Sequence, residues 1–227
     1  MLTTEQYLNL INQRGTAGKP LTRVYGNMLK HSELFVNAYG KLYKNSGAMT
    51  PGVDGETVDG TSLEKIQRLI QDLRDRTFRW TPVRRHNIDK GGGKKRPLGI
   101  PTWRDKLVQE VIRTILEAYY EPQFSDQSHG FRPRKGCHTA LVECSKYTGT
   151  TWIIEGDIKG CFDAIDHEIL LRILARNIKD ASFLKLIHAM LKAGYMEDWV
   201  YHDTYSGTPQ GGIVTPPTML QTGPIGA

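Results

Sequence analysis

An α+β fold is what this sequence of 227 residues predicts. Three observations carry that expectation. Apolar residues recur at helical spacing before residue 80 and again after residue 100. Two β-rich segments flank a glycine run, and an apolar run ends in an aspartate that leads into another helix. Hydrophobic residues make up 39% of the chain, an ordinary globular share, and the length suffices to bury a core. No apolar run approaches the roughly 18 residues of a membrane span. The start, MLTTEQYLNLINQRG, has neither the basic end nor the apolar stretch of a secretion signal. Three cysteines, without CxxC spacing, argue against a disulfide framework or a zinc site and for a reducing, cytoplasmic setting.

Taken in order, residues 3–14 predict a short helix and Thr22–Tyr43 a longer one carrying Val24, Met28, Leu34, Phe35, Ala38 and Leu42 inward. PGVDG at Pro51–Gly55 is a turn. Ser62 caps an amphipathic helix to Arg76, with Leu63, Ile66, Leu69, Ile70 and Leu73 on one face. Val83–Asp89 and Arg96–Ile100, around Gly91–Gly93, read as a β-hairpin with a long basic tip. Leu107–Tyr119 is a buried helix stopped by Pro122, and His138–Tyr147 reads as a further helix. Thr151–Ile158 reads as a strand delivering Asp157 at its end. Asp166 then caps a helix through Ala175 with Ile169, Leu170, Ile173 and Leu174 inside; Ala181–Leu191 follows, and turns dominate from Ser206.

Charge is concentrated. Between Arg84 and Lys106 stand eight basic residues (Arg84, Arg85, Lys90, Lys94, Lys95, Arg96, Arg104, Lys106) against Asp89 and Asp105, a net of +6 that equals the whole chain's. The remainder carries 22 residues of each sign. Charge gathered in this way suits a polyanion, although an exposed basic loop without a ligand gives the same count.

The chemistry-bearing block is GDIKGCFDAIDH, Gly156–His167. A carboxylate at a strand end is stiffly held yet open to solvent, which suits a hard cation such as Mg²⁺ and two-metal phosphoryl transfer. By itself Asp157 reads slightly more readily as a local cap than as a site residue; Asp163 divides evenly between turn and site, and Asp166 reads as an N-cap. KKRPLGIPTWRDK at Lys94–Lys106 offers cations that can clamp a triphosphate. SHGFRPRKGCHTAL at Ser128–Leu141 sets Arg132, Arg134 and Lys135 beside Phe131, a pairing suited to a nucleic-acid strand. TPQGG at Thr208–Gly212 places an amide side chain, Gln210, among glycines that admit close backbone approach. His129 and His138 read as structural, since no metal cluster forms around them.

In this order PGVDG, KKRPLGIPTWRDK, SHGFRPRKGCHTAL, GDIKGCFDAIDH and TPQGG resemble successive blocks of the reverse transcriptases encoded by group II introns, also called maturases, over residues 22–215. The resemblance implies a right-hand polymerase fragment. Residues 1–60 would be the helical N-terminal extension and start of the fingers, 61–150 the fingers with the basic hairpin, and 151–215 a partial palm with an antiparallel sheet; 216–227 fall outside the family pattern. It implies Asp157 as catalytic metal-binding aspartate with the Ile158 carbonyl as a second Mg²⁺ ligand. Lys94 and Arg96 would hold the triphosphate, Phe162 would be the steric gate under the incoming sugar, and Gln210 and Gly211 the pocket floor. Arg84, Arg85, Lys95, Arg104, Arg132, Arg134 and Lys135 would face nucleic acid. Implied partners are intron RNA, an RNA template with a DNA primer, and deoxynucleoside triphosphates.

The family's Tyr-x-Asp-Asp segment does not follow TPQGG here. After Thr215 the chain reads PPTMLQTGPIGA, without an acidic residue, and Tyr201–Thr204 holds a single aspartate on the wrong side of TPQGG. One aspartate in place of three compensates poorly for two metal ions about 4 Å apart. The expectation is a polymerase by family whose 227-residue chain is inactive alone. The alternative is an RNA-binding, maturase-like splicing cofactor without synthesis.

Overall fold

The computed structural model describes residues 2–45, 47–89, 92, 95–158, 164–207 and 213. Its centre is α5 (Trp103–Tyr120), capped by the Thr102 hydroxyl on the Asp105 amide. Val108, Val111, Ile112, Ile115 and Tyr119 are fully buried, so this helix is apolar on several faces and must be covered on several sides. α1 (Thr4–Thr16) and α3 (Glu33–Tyr43) cover it. A capping box between Thr3 and Gln6 starts α1. Gly15 brings α1 onto α5 so closely that a Cβ there would stand 1.9 Å from the Tyr119 carbonyl oxygen.

Residues 22–43 form two helices rather than the single one expected: α2 (Val24–Lys30) ends at His31, whose φ of −100° and ψ of 74° leave the helical region. The His31 ring stacks on Tyr7 of α1 at 4.7 Å, and this anchor turns the chain. α4 (Leu63–Arg74) begins at Ser62, whose hydroxyl accepts from the Lys65 amide at 3.3 Å. Ile66, Leu69, Ile70 and Leu73 are buried, whereas Leu63, in the first turn, is exposed. α6 (Cys137–Cys144) buries no side chain. α7 (His167–Asn177) and α8 (Ala181–Leu191) pack on each other and carry Leu170, Leu174, Phe183 and Ile187 into the same core. Ile169 of α7, expected inside, is exposed.

The hairpin forms as β1 (Val83–Asp89) and β2 (Lys95–Ile100), paired from Arg84 opposite Ile100 to Asp89 opposite Lys95. Two further strands were not legible: β3 (Tyr195–Glu197) and β4 (Val200–His202), too short for an alternation to show. Their turn holds Asp198 and Trp199 at φ of 49° and 66°, the twist that two-residue hairpins favour. β3 joins β1 in parallel, giving a mixed sheet in the order β2-β1-β3-β4.

The expected strand at Thr151–Ile158 does not form; within 151–215 the antiparallel strand pairing among the described residues is that of β3 with β4. A strand is stabilised by its ladder, and no described segment offers Trp152, Ile153 or Ile154 a partner; they are 86, 88 and 98% exposed. Among the described residues no helix is long and apolar enough to cross a membrane.

Candidate nucleic-acid and metal site

The basic block divides once its partners are seen. Arg84 donates through Nε and Nη2 to the Pro51 carbonyl at 3.2 and 2.8 Å, fastening the PGVDG turn to the hairpin. Gly52 of that turn lies so close to the start of α5 that a Cβ would meet the Thr102 backbone at 2.7 Å. Arg85 lies 3.8 Å over the Tyr195 ring and pairs with Glu197 at 3.3 Å. Hydrogen bonds from Asn87 and then Arg85 hold the Glu197 carboxyl below its usual range. Arg104 pairs with Asp72 at 2.9 Å above the Phe78 ring. Lys106 donates to the Thr50 carbonyl at 2.9 Å, and burial lowers its pKa. These four cations therefore build the base of the hairpin. Lys95 and Arg96 stand exposed towards its tip; Lys94 lies outside the described residues.

The second basic block also divides. Arg132, expected on nucleic acid, is buried: its guanidinium pairs with Glu121 at 2.9 Å and donates to the Ser125 and Ser128 carbonyls at 2.5 and 2.9 Å. Every direction of its fork is used internally, which corrects that reading. Lys135 bonds the Asp126 carbonyl and reaches its carboxylate at 3.4 Å. Arg134 is exposed, as is Phe131 at 74%, and both hold positive φ of 59° and 55°. His129 Nδ1 lies 2.9 Å from the Thr139 hydroxyl, a hydrogen bond to the first turn of α6.

Asp157 and Ile158 lie in the exposed, unladdered segment, and Asp157 makes no hydrogen bond or ion pair among the described residues. A free carboxylate beside a free carbonyl is the oxygen donor type that a hard divalent cation takes. Among the described residues no group of three or more His, Cys, Asp or Glu side chains gathers to hold a metal. Asp163, Phe162, Gln210 and Gly211 lie outside the described residues. Asp166 is the N-cap of α7, accepting from the Glu168 and Ile169 amides at 2.8 and 2.9 Å.

Two anchors escaped the sequence reading, and both flank TPQGG. Buried His167 donates from Nε2 to the Gly207 carbonyl at 2.7 Å; because that oxygen only accepts, Nε2 carries the proton. The Gly207 amide in turn donates to the Ile165 carbonyl at 2.8 Å, and Asp166 bridges Ser206. On the other side the Ile213 amide donates to buried Gln109 of α5 at 3.1 Å. The aspartate block's helix and the basic block's helix thus hold the residues on either side of TPQGG. The available signal was His167 closing the aspartate block and Gln109 on an otherwise apolar helix.

Asp105 is the strongly perturbed group of the basic block. Burial pushes its carboxyl up to about 6, against the Thr81 amide that donates to Oδ2 at 3.0 Å, and Oδ1 has no partner. It joins the start of α5 to the residues that open β1, a framework role.

A helix-rich α+β body thus carries a basic hairpin, and α7 and α5 hold the residues on either side of TPQGG. Residues 88–222 match the family model described as reverse transcriptase (RNA-dependent DNA polymerase), and the chain belongs to that family. It is 51% identical over 207 residues to the group II intron-encoded protein LtrA of Lactococcus lactis subsp. cremoris, covering 90% of this chain and 34% of that protein. An uncharacterised 91 kDa protein in the cob intron of Schizosaccharomyces pombe is 46% identical over 214 residues, 94% of this chain and 26% of its own length. The chain therefore spans about a third or less of the length of these two relatives. A solved partial Cas6-RT-Cas1–Cas2 complex shares the fold at a TM-score of 0.60 and 17% identity, over 88% of this chain and 34% of that one.

Proposed function

We propose that the chain is the nucleotide-selecting front of an RNA-directed DNA polymerase of the group II intron type, with 61–150 as fingers and 151–215 as part of the palm. The observation that carries this reading is the pinning of both flanks of TPQGG, by His167 to the aspartate block and by Gln109 to the helix of the basic block. Flanks held in that way would let TPQGG serve as a floor against which an incoming nucleotide is aligned. Lys94 and Arg96 would take the triphosphate of a deoxynucleoside triphosphate, Phe162 would exclude a 2′-hydroxyl, and Gln210 and Gly211 would form the floor. Lys95, Arg134 and Phe131, exposed in the structure, would follow the RNA template and its DNA primer.

Reverse transcriptases work with divalent metal ions. Asp157 and the Ile158 carbonyl would hold Mg²⁺, which when bound supplies positive charge against the triphosphate. The residues' own contribution would be alignment and cation clamping.

A second reading, an intron-RNA-binding splicing cofactor, is favoured by the exposed cations Lys95 and Arg134, which need no metal to bind RNA. The decisive measurement is primer extension on an RNA template in the full reading frame that contains this chain. Asp157→Asn is expected to lower the rate at least ~10³-fold, on the order of 4 kcal/mol in transition-state stabilisation. Asp166→Asn should cost far less, because asparagine caps a helix about as well as aspartate. Equal losses from the two would show that the wrong carboxylate has been chosen. Retained RNA binding without extension by the unmodified protein would leave only the cofactor reading.

A further inference from the structure

Outside Arg84–Lys106 the sequence is charge-neutral, yet folding gathers four cations around one groove. Arg76 and Arg79 come from the connection after α4; Lys185 comes from α8 and Lys192 from its C-cap. With Trp80 and Tyr201 they line a cavity of about 650 Å³, and no carboxylate lines it. A volume of that size accommodates a nucleotide-sized ligand. We propose that this groove is a binding site for a segment of single-stranded nucleic acid, separate from the hairpin tip and independent of the polymerase reading.

The charges are held in place but not neutralised. None of the four cations forms an ion pair among the described residues. Arg76 donates to the Ser182 hydroxyl at 3.0 Å and stacks over Tyr25 at 5.4 Å. Arg79 donates to the Arg76 and Phe78 carbonyls at 2.8 Å each. All these acceptors are neutral, so the guanidinium groups are oriented with their charge uncompensated. Asp180, beside Ser182, is consumed as the N-cap of α8 and by the Tyr25 amide. The phosphates of a strand would supply the missing charge.

The aromatic walls are fixed as well. The Trp80 indole donates to the Leu186 carbonyl at 3.0 Å and meets Phe78 edge-on at 5.0 Å; the Tyr201 hydroxyl donates to Asp203 at 3.0 Å. Spaced cations beside aromatic rings hold single strands by phosphate contact and base stacking, whereas a duplex offers few free base faces. The groove opens where β1 begins, at Pro82. The hairpin tip lies the length of β1 away, about 20 Å at roughly 3.3 Å per residue.

The test titrates the 227-residue chain with labelled 12-nucleotide single-stranded RNA, DNA of the same sequence, and the RNA duplex, across a salt series. Lys185→Ala/Lys192→Ala is expected to flatten the log–log salt slope for both single strands by about 1.4, at roughly 0.7 per phosphate contact. Tyr201→Leu should weaken binding about tenfold while leaving the slope unchanged, because it removes a stacking face and no charge. Both lysines are exposed, so their loss should not disturb folding, which a thermal melt verifies. An unchanged slope in the double-lysine variant, or duplex bound as tightly as single strand, overturns the proposal. Lys95→Ala supplies the separating arm: the single strands should still bind and still show the slope change of the double-lysine variant, whereas binding abolished by Lys95→Ala alone overturns the proposal.

Discussion

The helical body around α5 and the stretch from 137 to 158 are written in similarly apolar language, yet only the first is packed. Val108, Val111, Ile112 and Ile115 vanish beneath α1 and α3, whereas Leu141, Val142, Trp152, Ile153 and Ile154 face outward. A helix satisfies its own backbone and needs only a neighbouring apolar stripe, which several helices of this chain provide. A strand needs another backbone at hydrogen-bonding distance before its side chains can pack, and none of the described segments supplies one to 151–158. Burial here follows the availability of partners rather than hydrophobicity.

The strongest way to break that comparison is to pry apart the packed region. Gly15→Ala should lower the unfolding free energy by about 3 kcal/mol, since its Cβ would be driven into the Tyr119 backbone of α5. Gly26→Ala in α2 has nothing within 4 Å and should stabilise by roughly 0.5–1 kcal/mol through helix propensity. Urea unfolding reads both. Equal effects of one sign would show that α1 does not approach α5 so closely.

Next in size is the pH dependence of the same body. The Asp105 carboxyl is raised to about 6 from 3.8, so the folded state favours the proton. Its stabilising contribution is therefore complete below about pH 4 and lost as pH rises through 6. At about 1.4 kcal/mol per pH unit of displacement, the whole effect is roughly 3 kcal/mol. Asp105→Asn, which keeps an acceptor for the Thr81 amide, should flatten this part of the profile. Unfolding at pH 4 and pH 7, wild type against variant, measures it; parallel profiles would mean that Asp105 is well solvated.

How far the sequence spoke follows the same division. Helix starts were legible because caps are local chemistry: Ser62, Asp166 and the stripe of α5 each declared themselves. The basic hairpin was legible from its β-rich arms and glycine run. The break at His31 was not, because its cause is a ring stacked on Tyr7, 24 positions earlier. Arg132 looked like a nucleic-acid ligand because its type and neighbours fit one, while its burial depends on Glu121 and two carbonyls folding around it. The groove cations were invisible for a related reason: Arg76 and Lys192 are adjacent to the same cavity only in three dimensions. Residue type reveals what chemistry is possible, and the fold decides which side chains are left free to perform it.

The smallest expected effect is the most discriminating for the comparison. Ile154→Asp replaces an apolar side chain by a charge, a change that in a core would bury an unpaired carboxylate at great cost. At 98% exposure Ile154 has no burial to lose, so the unfolding free energy should move by less than ~0.5 kcal/mol. Ile115→Ala is the matched control: the same residue type, fully buried in α5, should lose about 2–5 kcal/mol although the substitution introduces no charge. Denaturant unfolding of the two variants beside wild type makes the measurement, and hydrogen exchange at 151–158 gives an independent readout. Rapid exchange there, with slow exchange across α5, would agree with a segment that has no ladder. A loss above about 1 kcal/mol from Ile154→Asp, or protected amides at 152–154, would mean that the run is partnered in solution. In that case its apolar pattern would already be enough to make a strand.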